Sequence, residues 1–132
     1  MDEIDKKILN ILKEEGRAPY VDIAGRVDLT EGAVRRRISN LIKDGTIKKF
    51  TIDTSAAVES VVLIKTDPTM TRKTAESLKE HSYRVFELSG EYDIMSLVQA
   101  YDIKDLNEKV DSIRETQGVT DTITLVKLNE YF

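Results

Sequence analysis

Three short amphipathic segments, separated by tight breaks, occupy the first 45 residues of the chain and constrain its fold more than any other feature. The breaks fall at Gly16, Asp28 and Gly45, residues that commonly end helices or form turns. Asp2 and Thr30 stand where the first and third helices need an N-cap. A helix, a short helix, a tight turn and a longer helix form the plan of the helix-turn-helix motif. The apolar stripes expected to face the core are Ile4, Ile8, Ile11 and Leu12, then Tyr20, Ile23, Ala24 and Val27, then Val34, Ile38, Leu41 and Ile42.

The charge of the chain is unevenly distributed. The net charge is −4, but residues 1–50 carry 11 basic and 9 acidic side chains, whereas residues 51–132 carry 9 and 15. Residues 30–49 alone carry six basic and two acidic side chains. A local basic surface on an acidic chain is typical of a protein that binds a polyanion such as DNA. The alternative is a solvated helix face without a partner, and charge alone does not decide between the two.

The third predicted helix carries its basic side chains opposite its apolar stripe. In a helix-turn-helix this helix enters the major groove of DNA, where arginine can donate two hydrogen bonds to guanine. Arg37 lies beside the apolar stripe, so we expect it to contact a phosphate or to hold the fold together. The competing interpretation is the solubilising surface of a small helical domain, and the position of the basic run argues against it. The predicted DNA-binding residues are Thr30, Gly32, Arg35, Arg36, Arg37, Ser39, Lys43, Lys48 and Lys49.

The rest of the chain alternates strand-like and helix-like segments in an approximate internal repeat. We take residues 1–50 as the helix-turn-helix domain, residues 51–57 as a connecting strand or linker, and residues 58–132 as a second domain. Thr46–Thr54 is β-prone and is expected to form a wing or a connecting strand. The second domain is predicted to be α+β, a ferredoxin-like βαββαβ unit whose four antiparallel strands carry two helices on one face. Its strands are expected at 58–66, 83–89, 94–101 and 119–128, and its helices at 71–80 and along the stripe Ile103, Leu106, Val110 and Ile113.

Apolar side chains point to both faces of the first strand of this domain. Val61, Val62, Leu63 and Ile64 follow one another without a polar residue, although successive side chains of a strand point to opposite faces. Two helices cover only one face of such a sheet, so the other must meet water, a ligand or another subunit. A second apolar face favours another subunit. The sequence therefore predicts a homo-oligomer.

Three stretches of the chain are typical of one known family: DEIDKKILNILKEEGRAPYVDIA, LTEGAVRRRISNLIKDGTIKKFTI and SGEYDIMSLV. Through them the chain resembles, from Met1 to about Leu128, the Lrp/AsnC family, the feast/famine transcription regulators of bacteria and archaea. One departure is Asp28, where the family usually has glycine; aspartate tolerates the left-handed backbone of such a turn better than most residues. The segment between the domains is also shorter than in many relatives. The resemblance implies a sequence-specific regulator of promoter DNA that forms homodimers through its α+β domain and octamers from those dimers.

The resemblance also implies that a small effector, usually an amino acid, binds where dimers meet. Gly90 would let backbone N–H groups approach a carboxylate, Asp93 would pair with an α-ammonium group, and threonine hydroxyls would fix the orientation. Without the resemblance, a hairpin connection is the better explanation of the loop residues, and ordinary strand preference is the better explanation of the threonines. The residues that the resemblance assigns to the effector are Gly90, Glu91, Tyr92, Asp93, Thr120, Thr122 and Thr124.

The sequence contains no motif of an enzyme. His81 is the only histidine and cysteine is absent, so we expect neither a nucleophilic triad nor a thiolate metal site. No phosphate-binding loop, export signal or membrane-spanning apolar run is found, and we expect a cytoplasmic protein without a metal or a cofactor other than the effector. The alternative function is a ligand-binding or scaffolding oligomer without specific DNA recognition. The arginine cluster at residues 35–37 argues against that alternative.

Overall fold

In the computed structural model, which describes residues 1–55 and 58–132, the chain divides into the units Met1–Asp53 and Thr54–Phe132. The predicted connection at residues 51–57 includes Ala56 and Ala57, which lie outside the described residues. The first unit contains three helices: α1 (Glu3–Glu14), α2 (Tyr20–Val27) and α3 (Glu31–Lys43).

Both predicted N-caps of the first unit are confirmed. The Asp2 carboxylate accepts a hydrogen bond from the backbone N–H of Asp5 at 2.8 Å, and the Asp5 carboxylate accepts one from the backbone N–H of Asp2 at 3.3 Å. The hydroxyl of Thr30 accepts a hydrogen bond from the backbone N–H of Ala33 at 3.1 Å. These bonds satisfy N–H groups that have no partner within a helix, and they therefore fix where α1 and α3 begin.

The turn between α2 and α3 depends on one residue in the left-handed conformation. Asp28 has φ 56° and ψ 44°, as the sequence predicts for the aspartate that replaces the usual glycine. After this residue the backbone N–H of Leu29 donates to the carbonyl of Ala24 at 3.0 Å, which closes the end of α2. The helix-turn-helix therefore forms despite a backbone conformation that costs roughly 1–2 kcal/mol for a residue with a Cβ.

The buried stripes of the three helices meet in one apolar cluster. Ile8, Ile23 and Val34 are fully buried, and Ile38 is 1% exposed. Ile42 was expected on the same stripe, but it is 47% exposed. With 3.6 residues per turn, Ile42 lies about 80° around the helix from Val34, outside the sector that α1 and α2 cover.

The expected wing or connecting strand at Thr46–Thr54 is not formed: no strand occurs in residues 46–55. Ile47 is half-buried against the helical cluster, and its N–H donates to the carbonyl of Leu41 at 2.9 Å. Ile52 is 80% exposed. β-Prone composition does not suffice here, because a strand needs a neighbour to pair with its backbone and Ile47 is already bonded to α3.

The second unit is the predicted four-stranded antiparallel sheet, and the α+β class is confirmed. Its elements are β1 (Val58–Thr66), α4 (Thr71–Ser77), β2 (Arg84–Glu87), β3 (Ile94–Ala100), α5 (Ile103–Arg114) and β4 (Val119–Val126). The strands lie in the order β2-β3-β1-β4. The helix expected at 71–80 is shorter than predicted and continues as a 3₁₀ turn at Leu78–His81.

The two faces of this sheet differ in what covers them. Val62 and Ile64 of β1 are fully buried beneath α5, in a cluster that contains Leu106 and Ile113. The opposite face carries apolar side chains that no helix of the unit covers, and two of them, on β4, are 41% and 52% exposed. We call this side of the sheet the open face. Strand register places the following apolar residues on it: Val61, Leu63, Phe86, Met95, Leu97, Ile123 and Leu125.

Candidate functional site

Helix α3 presents a basic surface to solvent on the side opposite its buried stripe. Its 13 residues make a rod about 20 Å long. Thr30 and Gly32 lie at its exposed N-terminal end, and Ser39 is half-buried farther along. We call the exposed cations of this region the basic surface; they are Arg35, Arg36, Lys43, Lys48 and Lys49.

The guanidinium group of Arg35 is held by two neighbours. Its Nη2 donates to Oε1 of Glu31, one turn earlier on α3, at 2.9 Å. The guanidinium carbon also lies 4.8 Å from the centre of the Tyr20 ring, which the first turn of α2 provides. An ion pair and a cation–π contact together restrict the directions in which this side chain can point.

Arg36 is placed differently from Arg35. It pairs with no carboxylate among residues 1–55 and 58–132. It lines a surface cleft of about 370 Å³ together with Asn40, one turn later on the same helix. Asn40 is not among the residues predicted from the sequence, although its spacing of four from Arg36 places both on one side of α3. An exposed amide beside a free guanidinium group adds a second hydrogen-bonding side chain to the basic surface.

Arg37 holds the fold, which is one of the two roles expected of it. Its Nη1 donates to Oδ2 of Asp2 at 2.6 Å and to Oδ1 of Asp5 at 3.1 Å, and its side chain is 29% exposed. These bonds join α3 to the beginning of α1. The hydrogen bond from Arg37 lowers the pKa of the Asp2 carboxyl below its ordinary value, and the two carboxylates raise the pKa of Arg37.

This pairing predicts how the first unit responds to acid. Because the pKa of Asp2 is lowered in the folded state, its ion pair stabilises the fold above the unfolded pKa of about 3.9. That contribution is lost as the pH falls through the lower folded value. We expect Asp2→Asn, which can still cap α1, to be less stable than wild type at neutral pH, with the difference shrinking below pH ~4. Urea unfolding across this range measures it, and an equal loss of stability at every pH would contradict the assignment to the ion pair.

The loop between β2 and β3 is tied to the end of β1 through Asp93. Its Oδ2 accepts a hydrogen bond from the backbone N–H of Thr66 at 2.8 Å, and its own N–H donates to the carbonyl of Ile64 at 2.9 Å. Gly90, at the start of the loop, has φ 145°, which residues with a Cβ rarely adopt. Asp93 therefore anchors the loop with one carboxylate oxygen.

A charged group lies at one end of the open face, beside this loop. Lys65 of β1 places its Nζ 5.2 Å from the centre of the Tyr92 ring and 3.9 Å from Oε1 of Glu91. Asp121 of β4 stands opposite Lys65 in the register. We call Lys65, Glu91, Tyr92 and Asp121 the edge cluster. Lys65 and Asp121 are not among the residues predicted from the sequence, although Lys65 shares the parity of Val61 and Leu63 along β1.

The three threonines assigned with this loop do not lie together beside it. Thr122 and Thr124 stand opposite the buried residues Ile64 and Val62, and therefore point to the helix-covered face. The hydroxyl of Thr124 is buried without a hydrogen-bond partner in the described part of the protein. Thr120 is exposed next to an irregularity in the pairing of β1 with β4. The edge cluster and the two half-buried threonines thus occupy opposite faces of the sheet.

The described residues offer neither a membrane span nor a metal centre. No helix there is both long and apolar enough to span a membrane. No three or more acidic or histidine side chains of residues 1–55 and 58–132 converge in a way that could hold a metal ion.

Known proteins resemble the chain over its whole length. A family model described as "Winged helix-turn-helix DNA-binding" matches residues 1–48. The HTH-type transcriptional regulator LysM of Sulfurisphaera tokodaii is 38% identical, over 100% of this chain and 98% of its own length. The crystal structure of an AsnC family transcriptional regulator from Agrobacterium tumefaciens superposes with a TM-score of 0.78 at 23% identity, covering 98% of this chain and 92% of its own. The chain belongs to the Lrp/AsnC family.

Membership of the Lrp/AsnC family confirms that the protein is a transcription regulator with a DNA-binding helix-turn-helix and not an enzyme. A further solved structure of the same fold is that of a transcriptional regulator from Neisseria meningitidis in complex with L-Met. It superposes with a TM-score of 0.80 at 24% identity and covers 98% of this chain and 91% of its own. The amino acid in that crystal is a ligand of the Neisseria protein.

Proposed function

We propose that this regulator recognises operator DNA in a sequence-specific manner through α3, that it does so as a homodimer, and that an amino acid modulates it. The observation that carries the proposal is the basic surface on the second helix of the helix-turn-helix. Arg35 and Arg36 lie near the N-terminal end of α3, the part of such a helix that contacts base edges. Lys43, Lys48 and Lys49 are exposed at and beyond its C-terminal end, where contacts to phosphates are expected.

The open face supports the homodimer. Seven apolar side chains lie together on one side of the sheet without a helix over them, and a contiguous apolar patch of this kind marks a surface that binds another protein. A two-fold dimer would pair this face with its copy, because the same residues meet in both subunits. Two recognition helices would then read half-sites about 34–36 Å apart on one side of the duplex.

The affinity for DNA tests the first part of the proposal. We expect Arg36→Ala to reduce binding to duplexes selected from a random pool about tenfold, because each subunit loses one positive charge that attracts the DNA backbone. Binding should also fall steeply with salt, since several phosphates are neutralised. The measurement is a fluorescence-anisotropy titration at several salt concentrations, with duplexes of random sequence for comparison.

Arg72→Ala is the matched control for this experiment. It removes the same charge from α4 of the second unit, where the Arg72 side chain is 93% exposed, and we expect it to leave the affinity unchanged. If Arg36→Ala bound as tightly as Arg72→Ala, Arg36 would not belong to the DNA interface. If wild type preferred no sequence over random DNA, the alternative of a ligand-binding or scaffolding oligomer would hold instead.

For the amino-acid effector we propose the edge cluster and the loop that Asp93 anchors. A free amino acid carries an α-carboxylate and an α-ammonium group. Lys65 can pair with the first, and Glu91 and Asp121 with the second. The Neisseria relative with bound L-Met supports an amino acid as the class of ligand. Thr122 and Thr124 point to the helix-covered face of the sheet. We therefore do not include them among the residues proposed to contact the effector.

A thermal-shift screen of the twenty amino acids tests the effector. A ligand that binds only the folded protein raises the melting temperature in a concentration-dependent way. We expect at least one amino acid to do so. Glu91→Gln should reduce the shift that this amino acid causes, because the variant loses the charge proposed to pair with the α-ammonium group. The fold should be little affected, since the Glu91 side chain is 79% exposed. Glu115→Gln, another exposed glutamate, is the control and should keep the full shift. No response of wild type to any amino acid would contradict the effector proposal and would leave DNA binding untouched.

A further inference from the structure

We propose that Tyr20 and Glu31 hold Arg35 as a reader of guanine, so that each half-site of the operator contains a G·C pair whose recognition depends on the ring of Tyr20. The inference rests on the proposed function, because it names the base that the same helix reads. Arg35 would be the residue that touches DNA. Tyr20 on α2 would be a positioning residue, since it acts through Arg35.

The contacts of Arg35 leave most of its hydrogen-bonding capacity for DNA. A guanidinium group has five N–H donors in a fixed plane. Glu31 uses a donor on Nη2, at 2.9 Å, and no other described side chain accepts a hydrogen bond from Arg35. The guanidinium carbon lies over the Tyr20 ring, 4.8 Å from its centre, and no hydrogen bond joins these two side chains in the described part of the protein. The side chain remains 62% exposed, so the remaining edge is open to a ligand.

The geometry of the remaining donors favours guanine over adenine. In the major groove guanine presents two acceptors, N7 and O6, whereas adenine presents one acceptor and one donor. A mobile arginine can avoid the mismatch with adenine by turning towards a phosphate. An arginine that is restricted by a ring and a carboxylate makes that change at a higher cost, so discrimination between the two bases increases.

Glu31 has a second effect on the same side chain. Its carboxylate offsets the charge of Arg35 in the free protein, and a carboxylate near the DNA backbone is repelled by phosphates. The pair therefore contributes less to sequence-independent binding than a free arginine such as Arg36 does. Base recognition and electrostatic attraction would thus be divided between two adjacent residues of α3.

Selection from a random duplex pool followed by affinity measurements tests this division. Wild-type protein should enrich a duplex with a guanine in each half-site, and Arg35→Ala should lose the preference at that position only. With the guanine changed to adenine, we expect wild-type affinity to fall about tenfold to a hundredfold. Tyr20→Phe keeps the aromatic face, so the ratio of the affinity for the guanine duplex to that for the adenine duplex should stay at its wild-type value. Tyr20→Leu should reduce it severalfold while binding of random DNA stays the same, and Glu31→Gln should reduce it while binding of random DNA rises.

The controls separate positioning from folding and from the proposed function. Melting temperatures of Tyr20→Leu and Tyr20→Phe show whether the unit is folded, and the ratio of affinities on two duplexes cancels a uniform loss of active protein. An unchanged guanine-to-adenine ratio in Tyr20→Leu would overturn the role of Tyr20. A guanine preference that survives Arg35→Ala would overturn the role of Arg35, with sequence-specific binding itself intact. A wild-type pool without any enriched sequence would overturn the proposed function and this inference with it.

Discussion

Ile123→Glu is expected to prevent formation of the proposed homodimer and to leave the protein monomeric. Ile123 lies in the middle of β4, which is an edge strand of the sheet, and on the open face opposite Leu63; it is 41% exposed in the isolated chain. In a two-fold dimer each substitution would introduce two carboxylates into one apolar interface, because both copies carry it. A charge buried there without a partner costs several kcal/mol, enough to reduce dimerisation by two or more orders of magnitude.

The fold of the single subunit should tolerate this change, so a loss of the dimer can be distinguished from unfolding. The side chain of Ile123 points away from the helix-covered core, so a glutamate remains hydrated in the monomer. Sedimentation velocity at several protein concentrations measures the mass, and circular dichroism verifies that the sheet is intact. We also expect operator affinity to fall with the dimer, because a single α3 reads only one half-site.

Ile103→Glu provides the matched control. Ile103 is the first residue of α5 and is 57% exposed. The same change of side chain there meets the favourable end of the helix dipole and should leave the mass unchanged. If Ile123→Glu also stayed dimeric, the open face would not be the interface between subunits, and the apolar residues on it would need another explanation.

The parts of the fold that could be predicted from sequence are those that local rules determine. The caps Asp2 and Thr30 and the left-handed Asp28 each depend on neighbours within a few residues, and the predicted bounds of β1 match the observed ones, Val58–Thr66. The predictions that were wrong depend on contacts between residues far apart in the chain. Thr46–Thr54 has the composition of a strand but no strand to pair with, and no pattern within the segment reveals that.

The candidate sites show the same division. The basic surface was visible in composition, because six cations within residues 30–49 can be counted without a structure. The role of Arg37 depends on Asp2 and Asp5, more than 30 residues earlier in the chain, and the ring that holds Arg35 comes from another helix. The edge cluster combines β1, β4 and a loop. The family resemblance assigns three threonines of β4 to the effector, but Thr122 and Thr124 share their face with Ile64 and Val62, and Thr120 falls at the irregularity in pairing.

The second large effect is expected for Gly118→Ala, at the residue immediately before β4. Gly118 has φ +96°, and a Cβ at this position would overlap the hydroxyl of Thr74 and lie 3.2 Å from the Cβ of Met70. Thr74 is fully buried on α4, and its hydroxyl donates to the carbonyl of Gln117 at 3.0 Å. Backbone strain of about 1–2 kcal/mol therefore adds to overpacking of about 1–3 kcal/mol, and urea unfolding at constant protein concentration should show a loss of about 2–5 kcal/mol.

Gly45→Ala separates the two contributions, because only one of them applies there. Gly45 has φ +81°, but no atom lies within 4 Å of the position that a Cβ would take, so its replacement should cost the backbone strain alone, about 1–2 kcal/mol. Thr74→Ala removes the overlapping hydroxyl, and in the double variant it should restore part of what Gly118→Ala loses, beyond what the two single changes predict together. Strictly additive losses in this cycle would show that α4 and the start of β4 move apart freely, and that the close approach of Gly118 to Thr74 does not constrain the second unit.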